Sequence, residues 1–371
     1  MPRHIYVHVP FCARRCSYCD FSIAIRRTVP VDEYLGALEA ELRTRFRHRV
    51  PSEVDTIYFG GGTPSLLGGD GVARAVDLVQ RQFRPVAAAE ITIEANPDDV
   101  SPEAAARWNA AGINRLSIGG QSFNDTVLTW MHRTHVSDTT ERAVQIARAA
   151  GIGNVSLDLI FALPEALARN FENDVERLLE LQPDHISVYG LTIEPRTPLG
   201  RWVSRGITVE QPEDGYVADF LNADRLLTNA GYEHYEVSNY SLSDSRARHN
   251  SAYWSGVPYV GLGPSAHGFD GQVRRWNIRH YAEWRDVALA GTDPTEGSEI
   301  LTADNRIAEA VYLGLRSDAG LPVTTSDRPV VEPWVNAGWA TLATDDRIRC
   351  TANGWLRLDA LAAALTHHRS R

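Results

Sequence analysis

The first two hundred residues alternate between short hydrophobic runs and longer segments with apolar residues at helical spacing. The short runs are rich in β-branched residues and bounded by Gly, Pro or Asn, which predicts strands. The predicted strands are Ile5–Val9, Asp55–Gly60, Glu90–Ala95, Arg115–Gly119, Asn154–Phe161 and His185–Leu191. The predicted helices between them are Asp32–His48, Gly71–Phe83, Pro102–Ala111, Thr139–Ala150 and Phe171–Leu181. Six strands alternating with helices predict an α/β fold with a parallel sheet and right-handed crossovers, as in a (β/α) barrel or part of one.

The pattern changes after residue 200. A helix over Glu213–Ala230 leads into a strand over Tyr232–Val237 that is predicted to extend the sheet edge, and residues 292–298 have the composition of a linker. A helix over Asp304–Leu315 and a terminal hairpin, Ile348–Cys350 with Trp355–Leu358, are predicted beyond it. We therefore expect a barrel core over residues 1–200, a barrel extension and cover over 201–298, and a small C-terminal domain over 299–371.

Composition narrows the class of protein. The 371 residues are 43% hydrophobic and 23% charged, which is ordinary for a soluble protein. The net charge of −10, without a basic run, does not indicate a nucleic-acid partner. No lysine is present, which excludes lysine Schiff-base chemistry. Without a signal-peptide core or an apolar run of the ~18 residues that span a bilayer, we expect a cytoplasmic protein; peripheral membrane contact stays open.

Three cysteines follow the first predicted strand: Cys12, Cys16 and Cys19. Three thiolates on one loop can hold three irons of a cubane cluster, which leaves the fourth iron free to bind another molecule. A zinc site completed by His8 is the alternative, although no second CxxC is present. Cys350, the only other cysteine, is predicted to be a buried structural thiol, and four cysteines do not suggest a disulfide framework.

Each of the other predicted strands also ends in a glycine or polar feature, at the end where barrels collect their chemistry. The Gly60-Gly61-Gly62-Thr63 turn is either a tight turn or a close approach of free backbone N–H groups to a carboxylate. Glu94 suits an ammonium group. Gln121 and Asp158 suit ribose hydroxyls, or they cap helices. Arg133, taken alone, is interpreted as a solvated helix charge.

The CxxxCxxC spacing after an opening strand resembles the radical S-adenosylmethionine (SAM) superfamily. That resemblance implies that the open iron chelates SAM and that an electron from the cluster cleaves it to a 5'-deoxyadenosyl radical. Five ordered motifs are similar to those of the oxygen-independent coproporphyrinogen III oxidase family of radical SAM proteins. They are Tyr6-x-His8-x-Pro10-Phe11-Cys12, Gly60-Gly-Gly-Thr63-Pro64-Ser65, Glu94-x-Asn96-Pro97, Ser117-Ile-Gly119-x-Gln121-Ser122-Phe123 and Asp158-Leu-Ile-Phe-x-Leu163-Pro164.

The resemblance implies a radical SAM partial (β/α)6 TIM-like barrel with a small, mainly helical C-terminal domain. It implies a [4Fe–4S] cluster ligated by Cys12, Cys16 and Cys19. It implies a SAM site formed by Tyr6, Gly61, Gly62, Thr63, Glu94, Gln121, Arg133, Asp158 and Gly190.

Three features separate the two branches of that family. The oxidases carry a fourth cysteine two residues after the third, where this chain has Phe21. They also have a long N-terminal extension, whereas the first strand here begins at Ile5. Third, residues 249–254 read HNSAYW, and an HNxxYW motif resembles the heme-binding motif of the heme chaperone branch. These features favour the chaperone branch.

The motif is chemically plausible as a heme site formed by His249, Asn250, Tyr253 and Trp254. An imidazole can be an axial ligand to heme iron, and the two aromatic side chains can stack on a porphyrin. The alternative is a structural role, in which the hydrogen bonds of the histidine are satisfied and the aromatic pair packs in a domain interface. His267, His234 and Tyr253 stay open as other iron ligands.

The sequence thus predicts a heme chaperone that binds heme and delivers it to hemoproteins, using a [4Fe–4S] cluster and SAM. The alternative is an enzyme that decarboxylates coproporphyrinogen III to protoporphyrinogen IX anaerobically by a radical SAM mechanism; a third hypothesis is a radical SAM enzyme acting on another tetrapyrrole or a methyl-transfer substrate. No catalytic residue is assigned. The acceptor hemoprotein, the electron donor, the second axial ligand, cleavage of SAM and a homodimer are left open.

Overall fold

The computed structural model describes residues 2–371. In chain order the strands are β1 His4–Val9, β2 Phe11–Cys12, β3 Ala24–Ile25, β4 Ser52–Gly61, β5 Phe83–Ala95, β6 Arg115–Gln121, β7 Asn154–Phe161, β8 His185–Gly190, β9 Glu233–Glu236, β10 Asn239–Ser241, β11 Val260–Leu262, β12 His267–Phe269, β13 Val273–Asn277, β14 Thr295–Ile300, β15 Leu321–Pro322, β16 Ala340–Leu342 and β17 Arg347–Cys350.

The α-helices are α1 Val31–Phe46, α2 Gly68–Gln82, α3 Pro102–Ala110, α4 Asp125–Trp130, α5 Ser137–Ala149, α6 Phe171–Glu180, α7 Pro198–Ser204, α8 Glu213–Asn229, α9 Arg248–Trp254, α10 Tyr281–Leu289, α11 Ala303–Arg316, α12 Arg328–Asn336, α13 Ala352–Trp355 and α14 Leu358–Arg369. Short 3-10 helices cover Pro64–Leu67, Pro97–Asp99, Glu165–Leu167 and Thr325–Asp327.

The main sheet has nine strands in the order β11-β1-β4-β5-β6-β7-β8-β10-β9. Its first seven strands are parallel neighbours, and helices connect most of them, as right-handed crossovers require. All six predicted strands are present, with Asn154–Phe161 matching at both ends. The predicted α/β fold, with the parallel sheet of a partial (β/α) barrel, is thereby confirmed.

In the six predicted strands apolar residues recur at alternate positions, and most side chains on both faces are buried, as in parallel strands covered by helices. The fully buried Ile5 and Val7 of β1 lie beside Ile57 of β4, and the core continues through Ile93 and Leu116. Helix α3 illustrates a locally specified boundary, since Ser101 Oγ accepts a hydrogen bond from the N–H of Ala104 and Pro102 occupies the first turn.

The far edge of the sheet is antiparallel. β10 pairs with β8 and with β9, so the edge strand predicted over Tyr232–Val237 is confirmed, with bounds Glu233–Glu236. The other edge is formed by β11, which pairs in parallel with β1 across Ile5 and Val260. A separate sheet, β12-β13-β14, packs next to this edge. Because β14 begins at Thr295, the predicted linker over 292–298 is largely a strand, whereas the domain boundaries stay a prediction.

The C-terminal region contains α11 to α14 and the small sheet β15-β17-β16. The predicted hairpin around Asn353-Gly354 is wrong. Thr351 Oγ1 accepts a hydrogen bond from the N–H of Gly354 at 3.2 Å, which starts α13 instead of a turn. The observed hairpin joins β16 to β17, and it contains the buried Cys350 predicted as a structural thiol.

Candidate functional site

Two cavities lie next to the first strands of the barrel. The first, of about 550 Å³, is called the cysteine cavity; its lining includes Cys12, Cys16, Cys19, Gly61, Gly62, Thr63, Glu94, Gln121, Arg133, Asp158 and Gly190. The second, of about 700 Å³, is called the aromatic cavity; its lining includes Tyr6, His8, Tyr253, Trp254, Tyr259, His267, Phe269, Arg274, Glu309 and Tyr312. The features predicted at the strand ends therefore line one cavity, whereas Tyr6 and the aromatic residues of the HNxxYW motif line the other.

The cysteine loop is anchored by backbone hydrogen bonds on both sides. Ser17 N–H donates to the carbonyl of Met131 at 3.0 Å, and its own carbonyl accepts from Leu199 N–H at 2.8 Å. The guanidinium of Arg14 donates to the carbonyls of His132 and Arg133. The loop is therefore held against the segment that follows α4, and all three thiols face the same cavity.

The environment of the thiols differs from one to the next. Burial raises the pKa of Cys12 to about 11, opposed by the Thr63 hydroxyl 3.5 Å from its Sγ. Burial also raises the pKa of Cys19. Arg133 Nη1 lies 3.6 Å from Cys16 Sγ, which places a cation beside that sulfur. A buried thiol with a raised pKa stays protonated at neutral pH until a metal displaces its proton.

These three thiols fit a cluster better than a zinc ion. In residues 2–371 no group of three or more His, Cys, Asp or Glu side chains is arranged to hold a single metal ion. A cubane gives each cysteine its own iron, so its ligands surround the cluster instead of meeting at one ion. His8, the alternative fourth zinc ligand, lines the other cavity, and its ring nitrogens are hydrogen-bonded to the Tyr6 hydroxyl and the Ser22 carbonyl.

The glycine turn after β4 is more fully bonded than the sequence suggested. Gly61 N–H donates to Glu94 Oε2 at 3.1 Å, Gly62 N–H to the carbonyl of Val9, and Thr63 N–H to the carbonyl of Phe11. The prediction of free N–H groups for a carboxylate is wrong, because these groups join the turn to the start of the cysteine loop. The turn still lines the cysteine cavity.

Two carboxyl groups with raised pKa values lie in the cysteine cavity. Burial raises the pKa of Glu94, which accepts a hydrogen bond from the Tyr58 hydroxyl at 2.7 Å. Burial, followed by the negative charge of Glu94, raises the pKa of Asp158 to about 7. Asp158 Oδ1 is buried without a hydrogen-bond partner. An unpaired buried acceptor in a cavity is the feature expected where a ligand hydroxyl or cation supplies the missing partner.

Arg133 is not a solvated helix charge, because it lies in the loop between α4 and α5 and lines the cysteine cavity. Its Nη2 donates to Asn96 Oδ1 and to the Gly119 carbonyl, both at 2.7 Å. Asn96 N–H in turn donates to Ser65 Oγ, which donates to Asp99 at 2.6 Å. These bonds link the Thr-Pro-Ser and Asn-Pro segments of this chain, and together they position one guanidinium beside a cysteine.

The remaining predicted SAM residues are divided between the cavities. Gln121, which has a left-handed φ of 68°, and Gly190 at the end of β8 both line the cysteine cavity. Tyr6 lines the aromatic cavity, where its ring stacks on Tyr58 at 6.2 Å. Only a thin wall intervenes, because a Cβ at Gly60 would lie 3.0 Å from Glu94 Oε1 and 3.1 Å from the Tyr6 ring.

The HNxxYW motif is on α9, which starts above the carboxylate of Glu90. The two carboxylate oxygens accept hydrogen bonds from the N–H groups of Arg248 and His249, each at 2.9 Å. A carboxylate at this end of a helix is favourable because the N–H groups there lack partners within the helix. Tyr253 and Trp254 line the aromatic cavity, whereas Asn250 is not part of its lining.

His249 is completely buried and does not line either cavity. Its Nδ1 is hydrogen-bonded to Thr56 Oγ1 at 2.7 Å and its Nε2 to the Tyr253 hydroxyl at 2.9 Å. Its ring stacks on Tyr58 at 5.1 Å. Burial, aided by the charges of His4 and Arg115, lowers the pKa of His249 to about 3, so the imidazole is neutral.

The sequence missed much of the aromatic cavity. Tyr259 and Phe269 lie on either side of the β11–β12 turn, Arg274 on β13, and Glu309 and Tyr312 on α11. None of them belongs to a motif, and tertiary packing alone brings them together. In the cysteine cavity, Asn96 and Ser117 were available because both lie within the quoted motifs.

Within residues 2–371 none of the helices combines the length and the apolar character that a bilayer crossing requires.

Comparisons with known proteins agree with this geometry. Residues 6–178 match the family model described as the radical SAM superfamily. The chain is 36% identical to the protein named heme chaperone HemW of Mycobacterium tuberculosis H37Rv, over 98% of this chain and 95% of that protein. It is 35% identical to heme chaperone HemW of Escherichia coli K12, over 97% of both. The structure of coproporphyrinogen III oxidase (HemN) from Escherichia coli superposes with a TM-score of 0.82 at 24% identity, over 98% of this chain and 90% of that one.

Proposed function

The chain belongs to the HemW family of radical SAM proteins, and from this premise we propose that it is a heme chaperone. It binds heme in the aromatic cavity, through the HNxxYW region, and delivers it to hemoproteins. The Mycobacterium tuberculosis and Escherichia coli relatives are named heme chaperones, and this chain matches each over nearly its whole length.

The observation that carries the proposal is the position of Tyr253 and Trp254 on the wall of the aromatic cavity. A volume of about 700 Å³ is within the usual range of small-molecule sites, roughly 300–1,000 Å³. The aromatic rings of Tyr259, Phe269 and Tyr312 complete a wall suited to a flat apolar ligand. Arg274 on the same wall is ion-paired with Glu309 at 2.8 Å and with Glu299 at 3.4 Å, so a heme carboxylate would have to compete with these glutamates for its guanidinium.

The second part of the proposal concerns the cysteine cavity. Cys12, Cys16 and Cys19 hold the [4Fe–4S] cluster. SAM contacts Gly61, Gly62, Thr63, Glu94, Gln121, Arg133, Asp158 and Gly190, all of which line this cavity. When bound, the cluster supplies an electron and an open iron for SAM. The raised pKa of Asp158 and its unpartnered Oδ1 support a ligand hydroxyl at that position.

A series of side chains in contact with one another connects the linings of the two cavities. Glu94 lines the cysteine cavity and is hydrogen-bonded to Tyr58, whose ring stacks on His249. His249 is hydrogen-bonded to Tyr253, which lines the aromatic cavity. We propose that the cluster and SAM site affects heme binding through these side-chain contacts. Within residues 2–371, none of the residues that line the cysteine cavity also lines the aromatic cavity.

An anaerobic hemin titration of the reconstituted protein, followed at the Soret band, tests the proposal. Saturable binding near one heme per chain is expected, with transfer of that heme to an apo-globin as a general acceptor. Replacing Trp254 by Ala should weaken binding, whereas Trp339→Ala, outside both cavities, should not. Absence of saturable binding, or formation of protoporphyrinogen IX from coproporphyrinogen III with SAM and a reductant, would contradict it.

A further inference from the structure

The cavity that the proposed function assigns to heme contains two histidines, and they differ in what their nitrogens contact. His8 is nearly buried, and both of its ring nitrogens are hydrogen-bonded, to Tyr6 and to the Ser22 carbonyl. His267 is exposed to the cavity, and within residues 2–371 its imidazole has no hydrogen-bond partner. Only His267 can therefore offer a ring nitrogen to a ligand without breaking an existing bond.

His249 of the HNxxYW motif is unsuited to that role. Both of its nitrogens are bonded, to Thr56 and to Tyr253, and its side chain has no exposed surface. Ligation of a metal would break one of these bonds and leave a buried polar group unpaired, which costs roughly 1–3 kcal/mol. It would also require movement of α9, because the ring does not line the cavity.

The other open candidates are also removed by their contacts. His234 is hydrogen-bonded to Asp224 at 2.7 Å and stacks on Tyr240, away from the aromatic cavity. Burial raises the pKa of Tyr253 well above its usual range, so its hydroxyl stays protonated and does not become a phenolate ligand. His267 is the remaining residue of the set.

The backbone around His267 is fixed by close packing. A Cβ at Gly261 would overlap the carbonyl oxygen of His267, so this glycine allows β12 to lie directly against β11. Asn277 N–H donates to the Ala266 carbonyl at 2.9 Å, and Gly263 N–H donates to the buried carboxylate of Glu41 at 2.9 Å. The glycine-rich segment thus allows the backbone to pack closely. These contacts hold in place the backbone that carries the His267 side chain.

The surroundings favour the neutral form of this imidazole. Burial and the positive charge of Arg274 lower the pKa of His267, against the opposing charge of Glu299. The ring stacks on Trp276 at 6.1 Å, on the neighbouring strand. Neutral imidazole is the form in which histidine ligates metals.

We propose that His267 is the axial ligand of the heme iron in the aromatic cavity, and that His249 is a positioning residue that acts through Tyr253. This assignment rests on the proposed function, because it takes heme to be the ligand of this cavity. The ligand is a flat metalloporphyrin that stacks against the aromatic wall and uses one histidine nitrogen.

Spectroscopy of heme-loaded protein distinguishes ligation from positioning. In the ferrous heme complex, resonance Raman spectra of the wild-type protein and of His249→Ala should both contain the iron–histidine stretching band. His267→Ala should lose the band and bind hemin at least tenfold more weakly. His267→Gly should regain an iron–imidazole band when imidazole is added. His48→Ala, an exposed histidine outside the cavity, is the matched control and should behave as wild type.

The possible failures are separable. If wild-type protein does not bind hemin saturably, the proposed function fails and the assignment of His267 fails with it. If wild-type protein binds hemin but His267→Ala keeps the iron–histidine band, the assignment alone fails. Loss of the band in His249→Ala would restore His249 as the ligand. His267→Met, which conserves side-chain length and offers sulfur, provides a second test should the alanine variant not fold; an unchanged spectrum would likewise overturn the assignment.

Discussion

His249 Nε2 lies 2.9 Å from the hydroxyl oxygen of Tyr253, one turn farther along α9. Residues four apart on a helix share a face, so the spacing within HNxxYW produces this contact directly. The motif therefore has an inner residue, which is buried beside β4, and an outer residue, which faces the aromatic cavity. The hydrogen bond with His249 therefore determines where the Tyr253 side chain is held.

Removal of the Tyr253 hydroxyl should destabilise the protein. Tyr253→Phe leaves His249 Nε2 buried without a partner, at a cost of about 1–3 kcal/mol of unfolding free energy. Tyr259→Phe is the matched control, since within residues 2–371 that hydroxyl has no hydrogen bond and its loss should change stability little. Urea unfolding measures both variants. Equal stability of the two would show that the His249–Tyr253 bond contributes nothing.

Acid should weaken the fold through His249. Its folded-state pKa is about 3, below the ordinary value near 6.5, so the unfolded chain binds an extra proton between these pH values. The stability contributed by neutral His249 is thus complete above pH 6.5 and is lost as the pH falls towards 3, by about 2 kcal/mol at pH 5. His249→Gln should show a shallower loss of unfolding free energy between pH 7 and 5. An identical slope in both proteins would argue against this origin.

The cluster assignment predicts a clear difference between cysteines. Cys16→Ala should abolish the brown chromophore and the stoichiometric iron and sulfide of anaerobically reconstituted protein. Cys350→Ala, which removes a buried thiol on β17, should retain them. Iron and sulfide assays with absorbance spectra measure the outcome. Full iron and sulfide in Cys16→Ala would rule out the three-cysteine cluster.

Asp158 should make the ligand-free protein less stable at alkaline pH. Its folded-state pKa of about 7 exceeds the unfolded value near 3.9, so the native carboxyl binds an extra proton between them. The resulting loss of stability is absent below about pH 4 and complete above pH 7. Asp158→Asn should therefore melt at a higher temperature than wild type at pH 8, with a smaller difference at pH 5.

The same substitution should weaken SAM binding, because a hydrogen bond to a charged group contributes about 1.5–3 kcal/mol, or roughly tenfold or more in Kd. Isothermal calorimetry at pH 8 measures the change. Asp98→Asn is the control, because Asp98 does not line the cysteine cavity. Unchanged SAM affinity in Asp158→Asn would remove that residue from the SAM site.

The barrel strands were predictable because their signal is local. Apolar residues recur at alternate positions of each strand, with turn residues at its ends, and Asn154–Phe161 was found at both boundaries. Helix α9 was not predicted, because seven residues are too few to show periodicity and its first N–H groups are satisfied by Glu90, far away in the chain. The motifs predicted which residues come together in the cysteine cavity. Of the residues assigned to the cluster and to SAM, all but Tyr6 line it.

Tyr6 shows what spacing alone does not resolve. Alternate residues of a strand face opposite sides, so Tyr6 and His8 point together, but strand spacing does not tell that both line the aromatic cavity instead of the cysteine cavity. The aromatic cavity was invisible for a related reason. Its lining comes from β1, α9, β12, β13, α11 and the loops on either side of β11, and no single segment contributes enough residues to form a pattern.

The pairing of β1 with β11 has a consequence for the order of assembly during synthesis. Ile5 lies opposite Val260, so this edge of β1 waits for some 255 further residues, roughly 13–50 s at ribosomal rates of about 5–20 residues per second. The residues that line the cysteine cavity are all made by Glu194, whereas the aromatic cavity also needs α11. On the ribosome, the proposed cluster site can therefore close before the proposed heme site exists.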